Sequence, residues 1–337
     1  MRLNGDVKIT VLAGGVGGAR FLRGLRTQLR KAYPNGDGGS TAEITAVVNT
    51  GDDMWLTGLR VCPDLDSIMY TLGGANDDER GWGRKGESER VSAELTAYGI
   101  GWPWFTLGDL DLGTHIARSS FLRDGLTLTE ATARLAERWN LGIRLLPMSD
   151  QSVETHVEIE LDGRRRIVHF EEWWVKHRAT VPAKRFIQVG VDAATPTPEV
   201  RHAIAHADIV LLAPSNPVVS IGTILGVPGM RAALREAKAP IVGVSPIISG
   251  AAVRGMADAC LTAIGVETTA AAVAKHYGSR RRSTTGLLDA WLVDETDAAS
   301  VPVLEAAGIR TRAVPLWMRD PDTSAQLAAD ALAAALS

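Results

Sequence analysis

Short apolar runs alternate with amphipathic runs along much of the chain, a pattern typical of the alternating strands and helices of an α/β fold. Apolar runs that resemble buried strands occupy positions 7–13, 43–49, 207–213 and 241–244. Apolar residues at helical spacing follow the first run, at Phe21, Leu22, Leu25 and Leu29. Because parallel strands buried on both faces read as continuous apolar runs, the pattern predicts a doubly wound, mostly parallel, Rossmann-like sheet.

The middle of the chain departs from this pattern. Helical spacing recurs at 89–98, 116–123 and 128–135, and strand-like runs lie at 144–147, 154–161 and 165–170. The last two runs flank Asp162-Gly163, a dipeptide typical of hairpin turns. The segment 171–178 mixes charged and aromatic residues and forms either a solvated helix face or a lid over an anionic substrate. We predict a nucleotide- and metal-binding core made of residues 1–75 and 186–337, interrupted by an inserted helical and hairpin segment at 76–185.

Composition narrows the class of protein. The 337 residues are 45% hydrophobic and carry a net charge of -3, which gives no electrostatic reason to bind nucleic acid or a membrane. Cys62 and Cys260 lie in unrelated contexts, so neither a disulfide framework nor a zinc motif is predicted. The polar start at 1–6 lacks the apolar region of a signal peptide, and no apolar run reaches the roughly 18 residues of a membrane span. We expect a cytoplasmic protein.

A glycine-rich loop joins the first predicted strand to the first predicted helix. Residues 13–20 read A-G-G-V-G-G-A-R, so backbone N–H groups and the helix N-terminus can approach a phosphate. Arg20 stands where the dinucleotide fingerprint has its third glycine, and the Gly-Lys-Ser/Thr end of a P-loop is missing. The loop therefore predicts a phosphate or nucleotide site of neither the NAD nor the Walker type. A tight turn without a ligand is the alternative.

Four carboxylates follow the second predicted strand within about fifteen residues, at Asp52, Asp53, Asp64 and Asp66. The first pair follows a strand end, and the second pair precedes the helical run 67–72. Two acidic pairs at one strand-to-helix junction are suited to hold a divalent cation beside a phosphorylated ligand. Helix caps and solvated turn residues are the alternative explanation.

Two further apolar strands end in turns rich in hydroxyl groups and glycine, at 215–220 and 245–250. Ligands of open α/β sheets bind outside the carboxyl ends of the strands. These turns, the glycine loop and the first acidic pair are therefore expected to face one crevice. Arg254 is a candidate to neutralise phosphate charge, with a surface helix position as an equally good explanation.

Aromatic residues precede another acidic segment. Trp102 and Trp104 lead into L-G-D-L-D-L-G-T-H at 107–115. Aromatics in such a position either clamp a flat heteroaromatic ring or pack in the core. A lone histidine at a helix start, such as His115, is more often a cap or a satisfied polar residue than a catalyst.

With these motifs in view, the chain resembles the 2-phospho-L-lactate transferase family of coenzyme F420 biosynthesis, which includes actinobacterial members thought to transfer phosphoenolpyruvate. The resemblance covers nearly the whole chain. It rests on six motifs in order: A-G-G-V-G-G-A-R at 13–20, V-V-N-T-G-D-D at 47–53, P-D-L-D-S-I-M-Y-T-L-G-G at 63–74, L-G-D-L-D-L-G-T-H at 107–115, A-P-S-N-P-V-V-S-I at 213–221 and V-S-P-I-I-S-G-A-A-V-R-G at 244–255. The chain departs from the family at Arg254, where lysine is frequent, and at Ser249 and Met256, where glycine and proline are commoner.

The resemblance implies a magnesium-dependent transfer between small molecules. A guanosine diphosphate conjugate would donate its phospholactyl or phosphoenolpyruvyl group to the ribityl hydroxyl of the deazaflavin Fo. The products would be F420-0, or its dehydro form, and GMP. The inserted segment would contribute to the Fo pocket, and a homodimer is implied.

The resemblance also assigns roles to residues. Asp52 and Asp66 are expected to be catalytic and to bind Mg²⁺, with Asp53 and Asp64 as alternates, and either aspartate of the first pair would accept the hydroxyl proton. The residues expected to bind the GDP moiety are Gly14, Gly15, Gly17, Gly18, Ser215, Asn216, Ser220, Ser245, Ile247 and Arg254. Those expected to bind Fo are Asp53, Trp55, Arg60, Trp104, Asp109 and His115.

Two other functions compete with this one. A non-catalytic nucleotide-sugar-binding regulatory protein of the same superfamily would keep the glycine loop and the first acidic pair, but the motifs at 63–74 and 107–115 are not expected in it. An NAD-dependent dehydrogenase would need the missing third glycine.

Overall fold

The computed structural model describes residues 6–77 and 79–337. Most of the polar start of the chain, at 1–5, lies outside the described residues, as does Asp78 in the polar loop after the acidic stretch. None of the helices in the described residues is long and apolar enough to cross a membrane.

Fourteen strands are present in the described residues. In chain order they are β1 (Lys8–Ala13), β2 (Glu43–Val48), β3 (Met54–Leu56), β4 (Leu59–Val61), β5 (Arg144–Pro147), β6 (Glu154–Leu161), β7 (Arg164–His169), β8 (Ala183–Val189), β9 (Ile209–Leu212), β10 (Ile241–Val244), β11 (Ile247–Ile248), β12 (Ala251–Ala252), β13 (Ala290–Val293) and β14 (Arg310–Ala313).

Twelve α-helices are described. They are α1 (Gly15–Ala32), α2 (Pro63–Gly73), α3 (Arg90–Ala97), α4 (Asp109–Arg123), α5 (Leu128–Ala136), α6 (Pro198–Ala205), α7 (Ile221–Gly226), α8 (Met230–Glu236), α9 (Ala257–Ala263), α10 (Ala270–Tyr277), α11 (Ser300–Ala306) and α12 (Pro321–Ala335). A π-helical turn spans Glu172–Lys176, and 3₁₀ turns span Val191–Ala193 and Glu295–Asp297.

Seven parallel strands form the main sheet in the order β14-β13-β10-β9-β1-β2-β5. The first strand lies in the middle, and later strands are added to either side of it. This is the usual order of a doubly wound sheet with one strand more at the far edge. The predicted doubly wound, mostly parallel α/β fold is confirmed.

Both faces of the main sheet are buried, which explains why its strands read as continuous apolar runs. Ile9 and Val11 of β1 belong to the cluster covered by α1, α2 and α12, whereas Leu12 belongs to the cluster covered by the helices after β8. The C-terminal helix α12 packs along α1, and a Cβ at Gly24 would collide with Ser324.

Strands outside the main sheet form smaller antiparallel sheets. β6 pairs antiparallel with β7 and β8, and the hairpin between β6 and β7 turns at Asp162-Gly163 as predicted. One face of this sheet packs on Trp173. A second hairpin, β3–β4, packs against Leu107 and Leu112.

The strand pairing divides the chain differently from the predicted boundaries. β5, placed in the insert by sequence, pairs with β2 at the edge of the main sheet. β8, which the predicted boundary at residue 186 divides, pairs with β6 in the small sheet. Both strands are short or mixed in polarity, and which sheet they join depends on long-range pairing that local pattern does not encode.

One helix begins much earlier than predicted. Sequence spacing predicts a helix at 116–123, but α4 begins at Asp109, so the segment 109–115 forms its first two turns. Gly113 and Thr114 conceal the helical pattern there, whereas Asp109 and Asp111 suit the positive end of the helix dipole.

Candidate active site

The glycine loop lies where the strand order reverses, at the carboxyl ends of β1 and β9. Gly14 follows β1 and Ser215 follows β9, and two hydrogen bonds join them. The Gly14 N–H donates to Ser215 Oγ at 3.0 Å, and Ser215 Oγ–H donates to the Gly14 carbonyl at 2.7 Å. A Cβ at Gly18 would lie 2.9 Å from the same Oγ. The loop is therefore fixed against the neighbouring strand end.

Close packing also explains the glycines themselves. A Cβ at Gly17 would lie 2.6 Å from the carbonyl oxygen of Pro214, and one at Gly14 would lie 2.5 Å from Asp64 Oδ2. Gly15 has a φ of 61°, a conformation that favours glycine. The loop thus brings its backbone against both the β9 turn and an acidic residue of α2.

Asn49, the residue after β2, joins one aspartate from each acidic pair. Its side-chain amide donates to Asp52 Oδ2 at 3.2 Å and to Asp64 Oδ2 at 2.9 Å. Asp52 and Asp64 are 6% and 7% exposed. Neither forms an ion pair with a basic residue among those the structure describes, and Asp52 Oδ1 has no hydrogen-bond partner there.

A third buried carboxylate, Glu171, lies within electrostatic reach of this pair. Burial raises the pKa of Glu171 to about 8, with the charge of Asp64 as the second cause. Burial, then the charges of Asp64 and Glu171, hold the pKa of Asp52 well above its ordinary range. Burial also raises the pKa of Asp64 to about 6, although the Asn49 hydrogen bond opposes it. Asp52, Asp64 and Glu171 are called the Asp52 cluster below.

Asp66 points away from this cluster. Residues two positions apart differ by about 200° around a helix, so Asp64 and Asp66 lie on nearly opposite sides of α2. Arg118 of α4 is fully buried and contacts both carboxylate oxygens of Asp66, with Arg118 Nη1 at 3.0 Å from Asp66 Oδ2. Of the two predicted metal-binding candidates on α2, the structure brings Asp64 to Asp52 and brings Asp66 to Arg118.

His115 and Asp111 extend this pair into a buried network. His115 Nδ1 lies 3.5 Å from Asp66 Oδ2, and its Nε2 lies 3.4 Å from Asp111 Oδ1. Ligand atoms of these three residues lie within 4.8 Å of one another, a spacing that suits a metal ion. The Arg118 guanidinium already gives this network a fixed positive charge, whereas no basic side chain among residues 6–77 and 79–337 forms an ion pair with the Asp52 cluster. The four residues are called the Asp66 network below.

Asp53 and Arg60 form another buried pair beside the cluster. Arg60 Nη2 lies 3.4 Å from Asp53 Oδ2, and Arg60 Nη1 lies 3.8 Å from Glu154 Oε1 of β6. Burial raises the pKa of Asp53 to about 7, although the charge of Arg60 opposes it. Trp55, also on the β3–β4 hairpin, is 54% exposed and therefore open to a ligand.

The predicted aromatic segment lies next to the inserted sheet. Trp102 and Trp104 stack with ring centroids 4.8 Å apart, and His169 at the end of β7 lies 6.1 Å from Trp102. Lys176 Nζ lies 5.9 Å from the Trp104 ring centroid. The π-helical turn that carries Lys176 therefore reaches the same aromatic surface.

Two residues predicted to bind Fo are already engaged within the fold. Asp109 accepts hydrogen bonds from the Ser88 N–H at 3.0 Å and from Ser88 Oγ at 2.8 Å, which tie the polar loop to the start of α4. His115 is 1% exposed and lies within the Asp66 network.

The predicted GDP-site residues outside the glycine loop fall into two groups. Asn216 Oδ1 accepts from backbone N–H groups of its own turn, and Ser245 Oγ bonds both the N–H and the carbonyl of Ile247, whose side chain is buried. These side chains shape turns. Ser220 lies directly against the glycine loop, whereas Arg254 is exposed and its guanidinium lies against Gly81 of the polar loop.

Sequence reasoning missed three residues of this arrangement. Asn49 lies inside the motif at 47–53, and its place in that motif is the sequence signal that points to it. Arg118 occupies a helical run whose buried face local pattern does not identify. Glu171 lies at the start of the mixed segment, and nothing in its neighbours indicates that it faces the aspartates.

A doubly wound sheet with a glycine loop and buried carboxylates at its switch point fits the class of α/β proteins that bind phosphorylated ligands. Residues 9–317 match the family described as 2-phospho-L-lactate transferase CofD. The chain therefore belongs to this family. The predictions of the family, and of a transferase as the kind of enzyme, are confirmed.

Similar proteins include three named phosphoenolpyruvate transferase. That of Streptomyces coelicolor is 55% identical over 326 residues, 97% of each chain. That of Streptomyces griseus is 56% identical, covering 97% of this chain and 98% of the relative, and that of Thermobifida fusca is 55% identical, covering 98% of each. A crystal structure of a UPF0052 family protein from Bacillus halodurans has a TM-score of 0.61 at 20% identity, covering 98% of this chain and 99% of the other, and supports the fold alone.

Proposed function

We propose that the protein is a phosphoenolpyruvate transferase. It transfers the phosphoenolpyruvyl group from a guanosine diphosphate conjugate of enolpyruvate to the ribityl hydroxyl of Fo, and it releases dehydro-F420-0 and GMP. Relatives at 55% and 56% identity are named for phosphoenolpyruvate, which favours the enolpyruvyl donor over the lactyl donor. The observation that carries the proposal is the pair of buried carboxyl groups, Asp52 and Asp64, which share the Asn49 amide beside the glycine loop and have no basic partner among the described residues.

The Asp52 cluster fits a magnesium ion. Mg²⁺ prefers oxygen ligands, and the cluster offers buried carboxylates, including the unpartnered Oδ1 of Asp52. Asp52 and Asp64 would hold the ion, and their shared bond partner Asn49 supports this pairing over one with Asp66. When bound, Mg²⁺ would offset negative charge on the transferred phosphoryl group.

The glycine loop binds the donor diphosphate through backbone N–H groups and the N-terminus of α1. Ser220, which lies against the loop, adds a hydroxyl group. Arg254 is exposed at the rim and contributes positive charge. Since phosphoryl transfer depends mainly on positioning and charge neutralisation, no covalent intermediate with the protein is needed.

The deazaflavin ring binds against Trp55 and Trp104, and Arg60 orients Asp53 beside it. The transfer forms a bond from the ribityl oxygen to the phosphorus that bears enolpyruvate, and it breaks the bond from that phosphorus to the GMP oxygen. Asp53 accepts the hydroxyl proton, because burial raises its pKa to about 7, near the working pH. Asp109 and His115 support the wall of this pocket through α4.

The proposal includes a homodimer in the cytoplasm, as the family resemblance implies. Its partners are the two small-molecule substrates. Light scattering of the purified chain tests the dimer directly.

The decisive experiment offers the protein Mg²⁺, Fo and either the enolpyruvyl or the lactyl donor. Mass spectrometry should detect dehydro-F420-0 and GMP, at a rate at least about tenfold higher than F420-0 formation from the lactyl donor. Absence of both products, with tight binding of a nucleotide sugar and no binding of Fo, would overturn the proposal in favour of a regulatory binding protein.

Asp52→Asn tests the catalytic part of the proposal. It keeps the size of the side chain but removes one anionic oxygen, so turnover should fall by at least about 10²-fold while the melting temperature in EDTA stays the same or rises. Asp37→Asn, in an exposed loop, is the matched control and should keep full activity. Near-wild-type turnover of Asp52→Asn at saturating Mg²⁺ would contradict the assignment.

A further inference from the structure

The buried hydroxyl of Ser119 on α4 contacts the β3–β4 hairpin as well as its own helix. Its Oγ–H donates to the His115 carbonyl, one turn earlier, at 2.7 Å, and its Oγ accepts a hydrogen bond from the Arg60 N–H at 2.8 Å. Thr27 and Thr223 also donate to a carbonyl one turn earlier, but within the described residues their hydroxyls accept no hydrogen bond from another element. The bond from Arg60 therefore distinguishes Ser119 from an ordinary helical hydroxyl residue.

The register of the hairpin explains why the Arg60 backbone is free to bind α4. Thr57 and Gly58 have φ values of 51° and 78° and form a two-residue turn. In such a hairpin the pair next to the turn is hydrogen-bonded and the following pair, Trp55 and Arg60, is not, so the Arg60 N–H and carbonyl point away from β3. Arg118 Nη1 donates to that carbonyl at 3.3 Å. Two consecutive residues of α4 thus hold both polar groups of the Arg60 main chain.

The Arg60 side chain extends from this fixed backbone to two carboxylates. Arg60 Nη2 lies 3.4 Å from Asp53 Oδ2, and Arg60 Nη1 lies 3.8 Å from Glu154 Oε1 of β6. Each strand of the hairpin has only three residues, and a two-stranded hairpin is marginally stable by itself. A displacement of the Arg60 backbone would therefore lengthen the contact with Asp53 or move the guanidinium towards Glu154. The bonds from α4 oppose this displacement.

We infer that Ser119 is a positioning residue of the transfer reaction. It fixes the Arg60 main chain, and the Arg60 guanidinium in turn orients the carboxylate of Asp53. This inference rests on the proposed function, which assigns to Asp53 the role of accepting the ribityl hydroxyl proton. Ser119 is 2% exposed and is bonded to protein on both sides, so it acts through Arg60 rather than on a substrate.

Steady-state turnover of the enolpyruvyl donor and Fo by the full chain, with Mg²⁺ present, tests the inference. Ser119→Ala should lower kcat by at least about fivefold, because proton transfer depends on the exact placement of the accepting group. The KM of the donor should stay within about twofold, because the glycine loop is unchanged. A melting curve reports whether each variant is folded.

Ser120→Ala is the matched control. It removes the neighbouring hydroxyl from the same helix, and no hydrogen bond of that hydroxyl is present in the part of the chain that the structure describes. Its kcat should stay within about twofold of wild type.

A double-mutant cycle separates positioning from a purely structural role. Arg60→Met removes the guanidinium, so adding Ser119→Ala in that background should lower kcat by less than about twofold further. A general loss of stability would instead lower kcat by the same factor in both backgrounds.

The outcomes distinguish the inference from the proposed function. If wild-type protein transfers neither group to Fo, the proposed function is wrong and the inference fails with it. If wild type is active and folded Ser119→Ala keeps its kcat, the inference is overturned while the proposed function stands. Equal losses with and without the Arg60 guanidinium also overturn it. A loss of kcat confined to the background with Arg60 intact supports it.

Discussion

Asp64 and Asp66 stand two residues apart in the first turn of α2, yet their surroundings are opposite in charge. Asp64 shares the Asn49 amide with Asp52 and has no basic partner in the described part of the chain, whereas Asp66 is held by the buried guanidinium of Arg118. The helix phase alone produces this division, since neighbouring turn positions face different sides of the element. One acidic pair in sequence thus serves two separate sites.

Replacing each of the two aspartates separately with asparagine distinguishes these roles. Asp64→Asn should weaken Mn²⁺ binding by at least about tenfold with little loss of stability, because it removes an unpaired buried charge. Asp66→Asn should leave Mn²⁺ affinity within about threefold but lower the free energy of unfolding by about 3–5 kcal/mol, because Arg118 remains buried without its partner. Calorimetric titration and urea denaturation measure the two quantities. The reverse pattern would assign the cation to Asp66.

At the residue scale, the sequence identifies the residue types of the candidate site but not which of these residues contact one another. The four aspartates and the glycine loop stand out by type and spacing. The partner of Asp66 is 52 positions away, and Glu171 follows β7 of the small sheet, whereas the first acidic pair follows β2 of the main sheet. Which of several carboxylates meet depends on helix phase and on the docking of the insert, and neither is encoded in a local motif.

The helix that follows the glycine loop is held by close contact between the backbone of the loop and the side chain of Ser215. Gly14 and Gly18 both contact Ser215 of the β9 turn, so the N-terminus of α1 is held against the neighbouring strand end. This packing places the first N–H groups of α1 at the carboxyl ends of β1 and β9. Its geometry leaves no room for an added methyl group.

Gly17→Ala should therefore disturb the donor site. The new Cβ would lie 2.6 Å from the Pro214 carbonyl, a backbone atom that cannot move aside easily. We expect GDP affinity to fall at least about tenfold and stability to fall by about 1–3 kcal/mol. Gly113→Ala is the control, since that exposed helical position has open space and alanine is a better helix former by roughly 1 kcal/mol. Unchanged GDP binding by Gly17→Ala would contradict a phosphate role for this loop.

At the element scale, continuous apolar strands are predicted well and mixed elements are not. β10 matches its predicted range, because a strand buried on both faces leaves an unmistakable pattern. The start of α4 is missed because Gly113 interrupts the periodicity. The sheet that β8 joins is not predicted, because half-exposed strands fit several pairings.

At the scale of the whole molecule, several buried carboxyl groups have raised pKa values. Burial raises the pKa of Asp53 to about 7, of Asp64 to about 6 and of Glu171 to about 8. The folded state therefore binds more protons than the unfolded state between about pH 4 and pH 8, so these groups stabilise less as pH rises through that window. His169 has the opposite effect on stability. Because burial lowers its pKa to about 4, its contribution to stability increases as the pH rises from about 4 to about 6.5.

In EDTA, the protein should accordingly unfold more easily at pH 8 than at pH 6. Over this interval the protons of Asp53 and Glu171 are lost, because burial raises their pKa values to about 7 and about 8, whereas Asp64, with a pKa raised to about 6, is already half ionised at pH 6. Added Mg²⁺ should raise the melting temperature more at pH 8 than at pH 6, because it replaces protons on the same oxygens. Differential scanning calorimetry measures both effects. A melting temperature that rises from pH 6 to pH 8 without metal would contradict the charge distribution.

The sequence predicts the doubly wound architecture better than it predicts the boundaries between the core and the inserted segment. The sheet order follows from an early strand, a glycine loop and successive apolar strands. The predicted insert at 76–185 loses β5 to the main sheet and gains β8, because membership is decided by pairing across the fold. The site lies at the boundary between these parts, which is where local pattern carries least information.

The close packing of α12 along α1 has a consequence for the order of folding. The helix that follows the glycine loop comes early in the described sequence, and its packing partner comes after all the other described helices. Without α12, the apolar face of α1, including Phe21 and Leu25, lacks part of its cover. Because this contact closes a very long loop, we expect the two helices to join late in folding, after contacts between segments that are nearer in sequence.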